Sequence, residues 1–237
     1  MNLLILLAMA IAPGLAIAIF IYWKDKYDKE PRKLMIISFI LGMLSVIPAI
    51  LLEDIGSSWI PPLSETMRTF FFTFVVVGGS EEFSKFFMLR VYPYRKREFN
   101  EPFDGITYAV MVSMGFATLE NIMYVTQYGM GNALLRMFTA VPAHAAFGVI
   151  MGYYIGLAKF KNNSILLQLQ GLLFAVTLHG AYDFCLMANN IPLIAGGALV
   201  SLVLGIRYSL KAIRLHQQIS PFNINAHNMH DARSNRR

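Results

Sequence analysis

The chain has 237 residues, of which 56% are hydrophobic and only 14% charged, and its mean hydropathy is positive; this excludes an ordinary water-soluble enzyme core and places it among integral membrane proteins. The net charge of +6 does not mark a nucleic-acid partner, because 17 of the 20 Lys and Arg residues fall in alternate connections between apolar runs. The single cysteine, Cys185, has no internal partner for a disulfide.

A spanning helix needs about 20 mostly apolar residues. The runs predict an all-α fold, a polytopic transmembrane helix bundle of about seven spans at 3–23, 34–52, 67–89, 104–126, 134–158, 164–187 and 191–213. The first run lacks a basic n-region and exceeds the usual apolar length of a signal peptide, so it is expected to be a retained span. The 24–33 loop carries Lys24, Lys26, Lys29, Arg32 and Lys33, and the 90–103 connection carries Arg90, Arg95, Lys96 and Arg97. Lys159, Lys161 and the basic residues after 206 fall at the same end, while the opposite end holds only Arg68 and Arg136. The positive-inside rule then puts the N-terminus outside and the C-terminus in the cytoplasm. Residues 1–214 form the expected membrane domain, and 215–237 a polar cytoplasmic tail, solvated or lying on the membrane surface, with His227 and His230 solvated.

The third span breaks the apolar rule. In "VVVGGSEEFSKFF" (75–87), Glu81, Glu82 and Lys85 interrupt a stretch that otherwise reads as hydrocarbon-facing. A charge in the middle of a span costs about 2.5–3.5 kcal/mol on insertion scales, so such groups face a partner or a cavity. Span four adds Glu120 and Asn121 in "FATLEN", span five His144 in "VPAHAAFG", and span six His179 and Asp183 in "LHGAYDF". Glu81 and Lys85 are four residues apart, as are His179 and Asp183, so each pair shares a helix face. At about 1.5 Å per residue, Glu81 lies about 13 Å from the basic end and Glu120, His144 and His179 about 21–24 Å, with Gly78 and Gly79 as the place where span three bends. Asn121 reads first as a polar tie between helices, and Asp104 as the N-cap of "DGITYAV" or an interfacial residue. The set as a whole exceeds what such ties require.

Adjacent glutamates in a low-dielectric cavity do not both ionise easily, and one of them poised as a carboxylate can act as general base on water. A facing histidine or asparagine can steady the oxyanion of a tetrahedral intermediate. No nucleophile elbow or Ser-His-Asp pattern is present, so hydrolysis by activated water is the enzymatic expectation. A metal-free glutamate mechanism, with no cofactor, is favoured over zinc because the helix-borne HExxH pattern is absent; were a metal present, Glu120, His144 and His179 would supply its ligands.

"EEFSK", "FATLEN", the His144 segment and "HGAYD" together resemble, in order and spacing, the motifs of the PrsW-type membrane proteases, a branch of the superfamily that includes the CAAX prenyl endopeptidases. The resemblance extends over the opening "IAPGLAIAIFIYWKDKYDKEP" and the "DGITYAVMVSMGFATLENIMY" block. Where the prenyl endopeptidases carry an arginine, one position beyond Lys85, this chain has Phe86, which favours the PrsW branch. The resemblance implies a transmembrane protease domain over 1–214 in a bacterial cytoplasmic membrane. It implies a first (site-1) cut in a single-span membrane anti-sigma factor, leading to release of a stress-response sigma factor. It also implies Glu81, Glu82 and His179 as catalytic residues, with Lys85, Glu120, Asn121, His144 and Asp183 supporting. The partners are then the anti-sigma substrate and the lipid bilayer, and no nucleic acid. The alternative is a proton-coupled transporter in which the buried Glu, His and Asp residues relay protons; the absence of a matching set in the other half of the chain counts against it.

Overall fold

The computed structural model describes residues 3–188 and 191–223. Among them there are helices and no strands: α1 (Leu3–Lys24), α2 (Arg32–Leu44), α3 (Val46–Ser58), α4 (Glu65–Phe71), a π-helical stretch (Phe72–Val77), α5 (Gly78–Val91), a 3₁₀ turn (Pro93–Arg95), α6 (Pro102–Tyr128), α7 (Met130–Phe138), α8 (Ala140–Phe160), α9 (Ile165–Met187) and α10 (Ile191–Gln218). Five passes are long and apolar enough to cross a membrane by length and composition: α1, α2–α3, α6, α7–α8 and α9. The α4–α5 pass carries the glutamate pair, and α10 completes the seven passes that the apolar runs predict.

Three passes are interrupted where the sequence reading has them continuous. α2 ends at Ser45, whose hydroxyl donates to Gly42 O at 2.6 Å, and α3 continues to Ser58, beyond the expected end at 52. The α4–α5 pass contains a π turn, the insertion that commonly re-aims side chains at functional sites. Residues 130–138 form the separate helix α7, so the fifth pass through the core begins at Ala140. Asp104 is not the N-cap of α6. Glu101 is, and Asp104 closes a capping box by accepting the backbone N–H of Glu101 at 2.8 Å.

α6 is the central helix, buried without a break from Pro102 to Thr118. It packs most extensively on α8, where Gly148, Gly152 and Gly156 present one glycine per turn: a Cβ on Gly148 would lie 2.6 Å from Ser113 Oγ, and one on Gly152 2.7 Å from Ile106 Cα. Such stripes let membrane helices approach by backbone contact, which matters where lipid removes the hydrophobic drive between helices. Around this pair stand α1, α2, α9 and α10. The outward faces carry exposed Ile36, Ile47, Leu51, Ile55, Phe83, Phe87, Leu169 and Leu173, the arrangement of a protein solvated by hydrocarbon. The domain end expected at 214 falls inside α10. Residues 215–218 stay helical, buried His216 stacks on Tyr153 at 4.3 Å, and the Gln217 side chain donates to Lys24 O at 2.6 Å. His227 and His230 lie outside the described residues.

Candidate active site

Two glycines decide how closely the site can assemble. Gly78 opens α5 right after the π turn, and a Cβ there would lie 3.3 Å from Gly180 N. On α9, a Cβ on Gly180 would lie 2.5 Å from Phe74 Cγ. Because neither has a side chain, α9 lies against the π stretch and α5, which brings His179 beside the glutamate pair and closes the depth offset expected from residue counting.

The convergence is tight. His179 Nδ1 lies 2.9 Å from Glu82 Oε1, and His179 Nε2 lies 3.2 Å from Asp183 Oδ2 and 3.9 Å from Glu81 Oε2. The Lys85 ammonium donates to Glu82 Oε1 at 2.6 Å and to Glu81 Oε2 at 3.4 Å, and lies 3.1 Å from His144 Nδ1. Lys85 therefore binds Glu82 more closely than Glu81, the partner its four-residue spacing suggests. His144 Nε2 is 2.9 Å from Glu120 Oε2. Phe147 stacks on His179 at 5.0 Å, and Phe116 lies under the Lys85 ammonium at 4.2 Å. Glu81, Glu82, Lys85, His144 and His179 are all buried. Pairs of this kind are costly to break from one side, about 3–5 kcal/mol, because the other charge is stranded.

Of the residues singled out in the sequence, Glu81, Glu82, Lys85, Glu120, His144, His179 and Asp183 meet in this one network. Asn121 touches none of these and reaches them only through Arg136: its Nδ2 donates to Ala10 O at 3.1 Å and its Oδ1 accepts from Arg136 Nε at 3.0 Å, tying α6 to α1 and α7. Two further members escaped the sequence reading. Arg136 on α7 pairs with Glu120 Oε2 at 2.7 Å and lies 4.0 Å over the Tyr124 ring; it is the lone cation within a long uncharged run, facing an acid that needs a partner. Glu53 on α3, half-buried, lies within electrostatic reach of Glu81, Glu120, His179 and Asp183, and it sits one residue past the expected end of the second span.

The donor set suits a metal ion. One ligand atom from each of Glu81, Glu82, His144 and His179 can be chosen so that all lie within 4.8 Å of one another. Each imidazole is held at its Nε2 by an outer carboxylate, Glu120 for His144 and Asp183 for His179, the arrangement that orients and strengthens metal-binding histidines. Glu82 Oε2 is buried without a hydrogen-bond partner among the described residues. Five carboxyl groups, Glu53 included, stand against two permanent cations, Lys85 and Arg136. This set differs from the conditional trio of Glu120, His144 and His179: Glu120 stands behind His144, and Glu82 takes the inner place.

Residues 30–208 match the family described as PrsW family intramembrane metalloprotease. The chain is 38% identical to a protein of Bacillus subtilis (strain 168) named Protease PrsW, over 77% of this chain and 83% of that one. Identity is also 38% to the Protease PrsW of Oceanobacillus iheyensis, over 87% of this chain and 94% of the relative. It is 34% to that of Clostridioides difficile, over 77% and 79%. No solved structure matches.

Proposed function

The chain belongs to the PrsW family of intramembrane metalloproteases and is a multi-pass, membrane-embedded peptidase; from that premise we propose that it makes the first cut in a single-span anti-sigma factor, so that a stress-response sigma factor is released. The observation that carries this reading is the convergence of Glu81, Glu82, His144 and His179 inside the apolar thickness of the bundle. A peptide bond reaching such a site belongs to a substrate that itself enters the membrane. The choice of an anti-sigma factor follows from the family resemblance. With 17 of 20 basic residues at one end of the passes, the N-terminus is outside and the C-terminus in the cytoplasm; Glu120 and Arg136 then mark the outer side of the site, which fits an extracytoplasmic cut in a bacterial cell membrane.

Roles follow from how firmly each group is engaged. Glu82 Oε1 already has two close partners, so Glu82, His144 and His179 are assigned as the residues that would hold a divalent ion such as zinc. When bound, such an ion supplies Lewis acidity toward a carbonyl oxygen and lowers the pKa of water. Glu81, with only the longer contacts to Lys85 and His179, is assigned as the general base, taking a proton from the attacking water and delivering it to the leaving amine. Asp183 and Glu120 fix the two imidazoles, and Arg136 fixes Glu120. The test is cleavage of a purified single-span anti-sigma substrate by the reconstituted protein. A cut in or beside the outer half of the substrate span is expected, reduced about 10²–10⁴-fold in Glu81→Gln. An uncut substrate with a correctly inserted wild-type protein would reject this substrate class, and undiminished cutting by Glu81→Gln would reject its role.

A further inference from the structure

A groove lies where α1 and α2 cover α6, among residues that take no part in the cluster. α1 and α2 follow one another in the chain, yet each packs on α6 and they make little contact with each other. Between them runs a groove of about 400 Å³. Its floor is Ala18, Met35 and Met111, all buried, and its walls include Leu15, Ile19 and Ile36, all exposed. Along α1 it extends from Leu15 to Tyr22 and along α2 from Phe39 to Arg32, about 10 Å at 1.5 Å per residue.

The groove ends in positive charge. Arg32 lines its mouth and is exposed, with no ion pair or hydrogen bond among the described residues. The Lys29 ammonium is bonded to Tyr22 O and stands 4.6 Å over the Tyr22 ring, so a second cation is held beside the same opening. Among the described residues no carboxylate forms an ion pair with either. Asp25 accepts the backbone N–H of Glu30, Glu30 accepts the Tyr108 hydroxyl, and Asp28 accepts Asn100 Nδ2.

Lining and charge separate the candidate occupants. The groove is walled by aliphatic and aromatic side chains over about 10 Å and closes on the Arg32 and Lys29 cations. An acyl chain joined to an anionic headgroup matches both parts, whereas an apolar substrate helix leaves the cations without a partner. We propose that this groove binds an anionic phospholipid from the leaflet at the basic end, with one acyl chain between α1 and α2 and its phosphate between Arg32 and Lys29. Basic openings between membrane helices at this interface take anionic headgroups by the same electrostatics. The inference is independent of the peptidase reading, since no residue of the cluster lines the groove.

The experiment uses the full chain in nanodiscs of mixed phosphatidylglycerol and phosphatidylcholine, with a phosphatidylglycerol probe carrying a photoreactive group on its acyl chain. Cross-links are expected on peptides containing Met35 and Met111, and lipids retained after transfer to detergent should be enriched several-fold in phosphatidylglycerol. Arg32→Gln should remove most of the enrichment, and Lys33→Gln, an exposed neighbour outside the groove, should leave it intact. Cross-links spread over other outward faces, or equal losses in Arg32→Gln and Lys33→Gln, would reduce the effect to a diffuse basic field and overturn the site. Cross-linking of a substrate span to Met35 or Met111 in place of lipid would overturn it equally. The wild-type cross-link map decides the matter even if a variant fails to fold.

Discussion

Two groups of carboxylates are buried in this bundle, and they are neutralised in different ways. In the middle of the membrane, Glu81, Glu82 and Glu120 are met by the Lys85 ammonium, the Arg136 guanidinium and two imidazoles. At the basic end, Asp25, Glu30, Glu101 and Asp104 are equally buried, yet among the described residues none forms an ion pair with lysine or arginine. Their partners are the Tyr108 hydroxyl, backbone N–H groups and each other. Burial without a counter-charge pushes Asp25 up to about 6 and Glu101 to about 7, and raises Glu30 strongly through burial and the adjacent Asp104. Here protons do what cations do in the membrane centre. The contrast separates a site built for chemistry from a joint that ties α1, α2 and α6 together.

The largest effect should come from disturbing the approach that assembles the membrane-centre group. Gly180→Leu drives a side chain into Phe74 and displaces His179 from Glu82. Cleavage should fall about 10²-fold, the usual consequence of an ångström-scale misplacement, while the protein remains inserted. Normal cleavage by that variant would mean that the contact of His179 with Glu82 is dispensable.

Arg136→Gln should have a milder effect, because Arg136 acts on His144 only through Glu120. A drop of about 10-fold in metal affinity or activity is expected, the lower range for partners one step removed from a metal ligand. If Glu120→Gln and Arg136→Gln each cost about tenfold and the double variant no more than either, the two work as one unit. Independent, additive losses would contradict that chain of contacts.

The smallest effect on cleavage, and the clearest on stability, should come from the basic-end group. A carboxyl whose folded pKa is raised contributes stability that is fully present below its unfolded pKa, about 4, and is lost as pH rises through the folded value. For Asp25 and Glu101 the window is therefore about pH 4 to pH 6–7, with thermal stability declining across it. The double variant Asp25→Asn, Glu101→Gln keeps acceptors for the Glu30 and α6 N–H groups and should lessen the decline at unchanged cleavage, Glu30 carrying what remains. A wild-type melting temperature that rises from pH 4 to pH 7 would contradict the assignment.

Most of the bundle was legible because apolar runs report helices directly, and Glu81, Glu82, His144 and His179 were legible because a charge or imidazole inside such a run needs a reason. Spacing along one helix, however, fixes only a face. Lys85 is four residues from Glu81 and three from Glu82, so spacing leaves both open as partners, and only the packing of α8 beside α5 adds His144 to its contacts. Likewise the contact between Glu120 and Arg136 depends on α7 breaking away at Thr139; Pro142, which cannot bond back to Phe138, marks that break, but not the direction in which α7 turns. Glu53 was hidden by a boundary error of a few residues, and Asp25 and Glu30 by their place in a basic loop that reads as solvated. Residues at a helix end or in a short loop acquire their environment from helices distant in the chain.

Glu82, His144 and His179 are proposed to hold a metal ion, with Glu81 beside them as base. Elemental analysis of the purified, detergent-solubilised protein and its single variants tests this most directly. About one divalent ion per chain is expected in the wild type, as for a catalytic site with three protein ligands. The ion should be retained in Glu81→Gln, despite its expected loss of cleavage, and lost in Glu82→Gln, His144→Ala and His179→Ala. Equal metal content in His179→Ala and the wild type, or full cleavage by wild-type protein stripped of metal, would contradict the assignment.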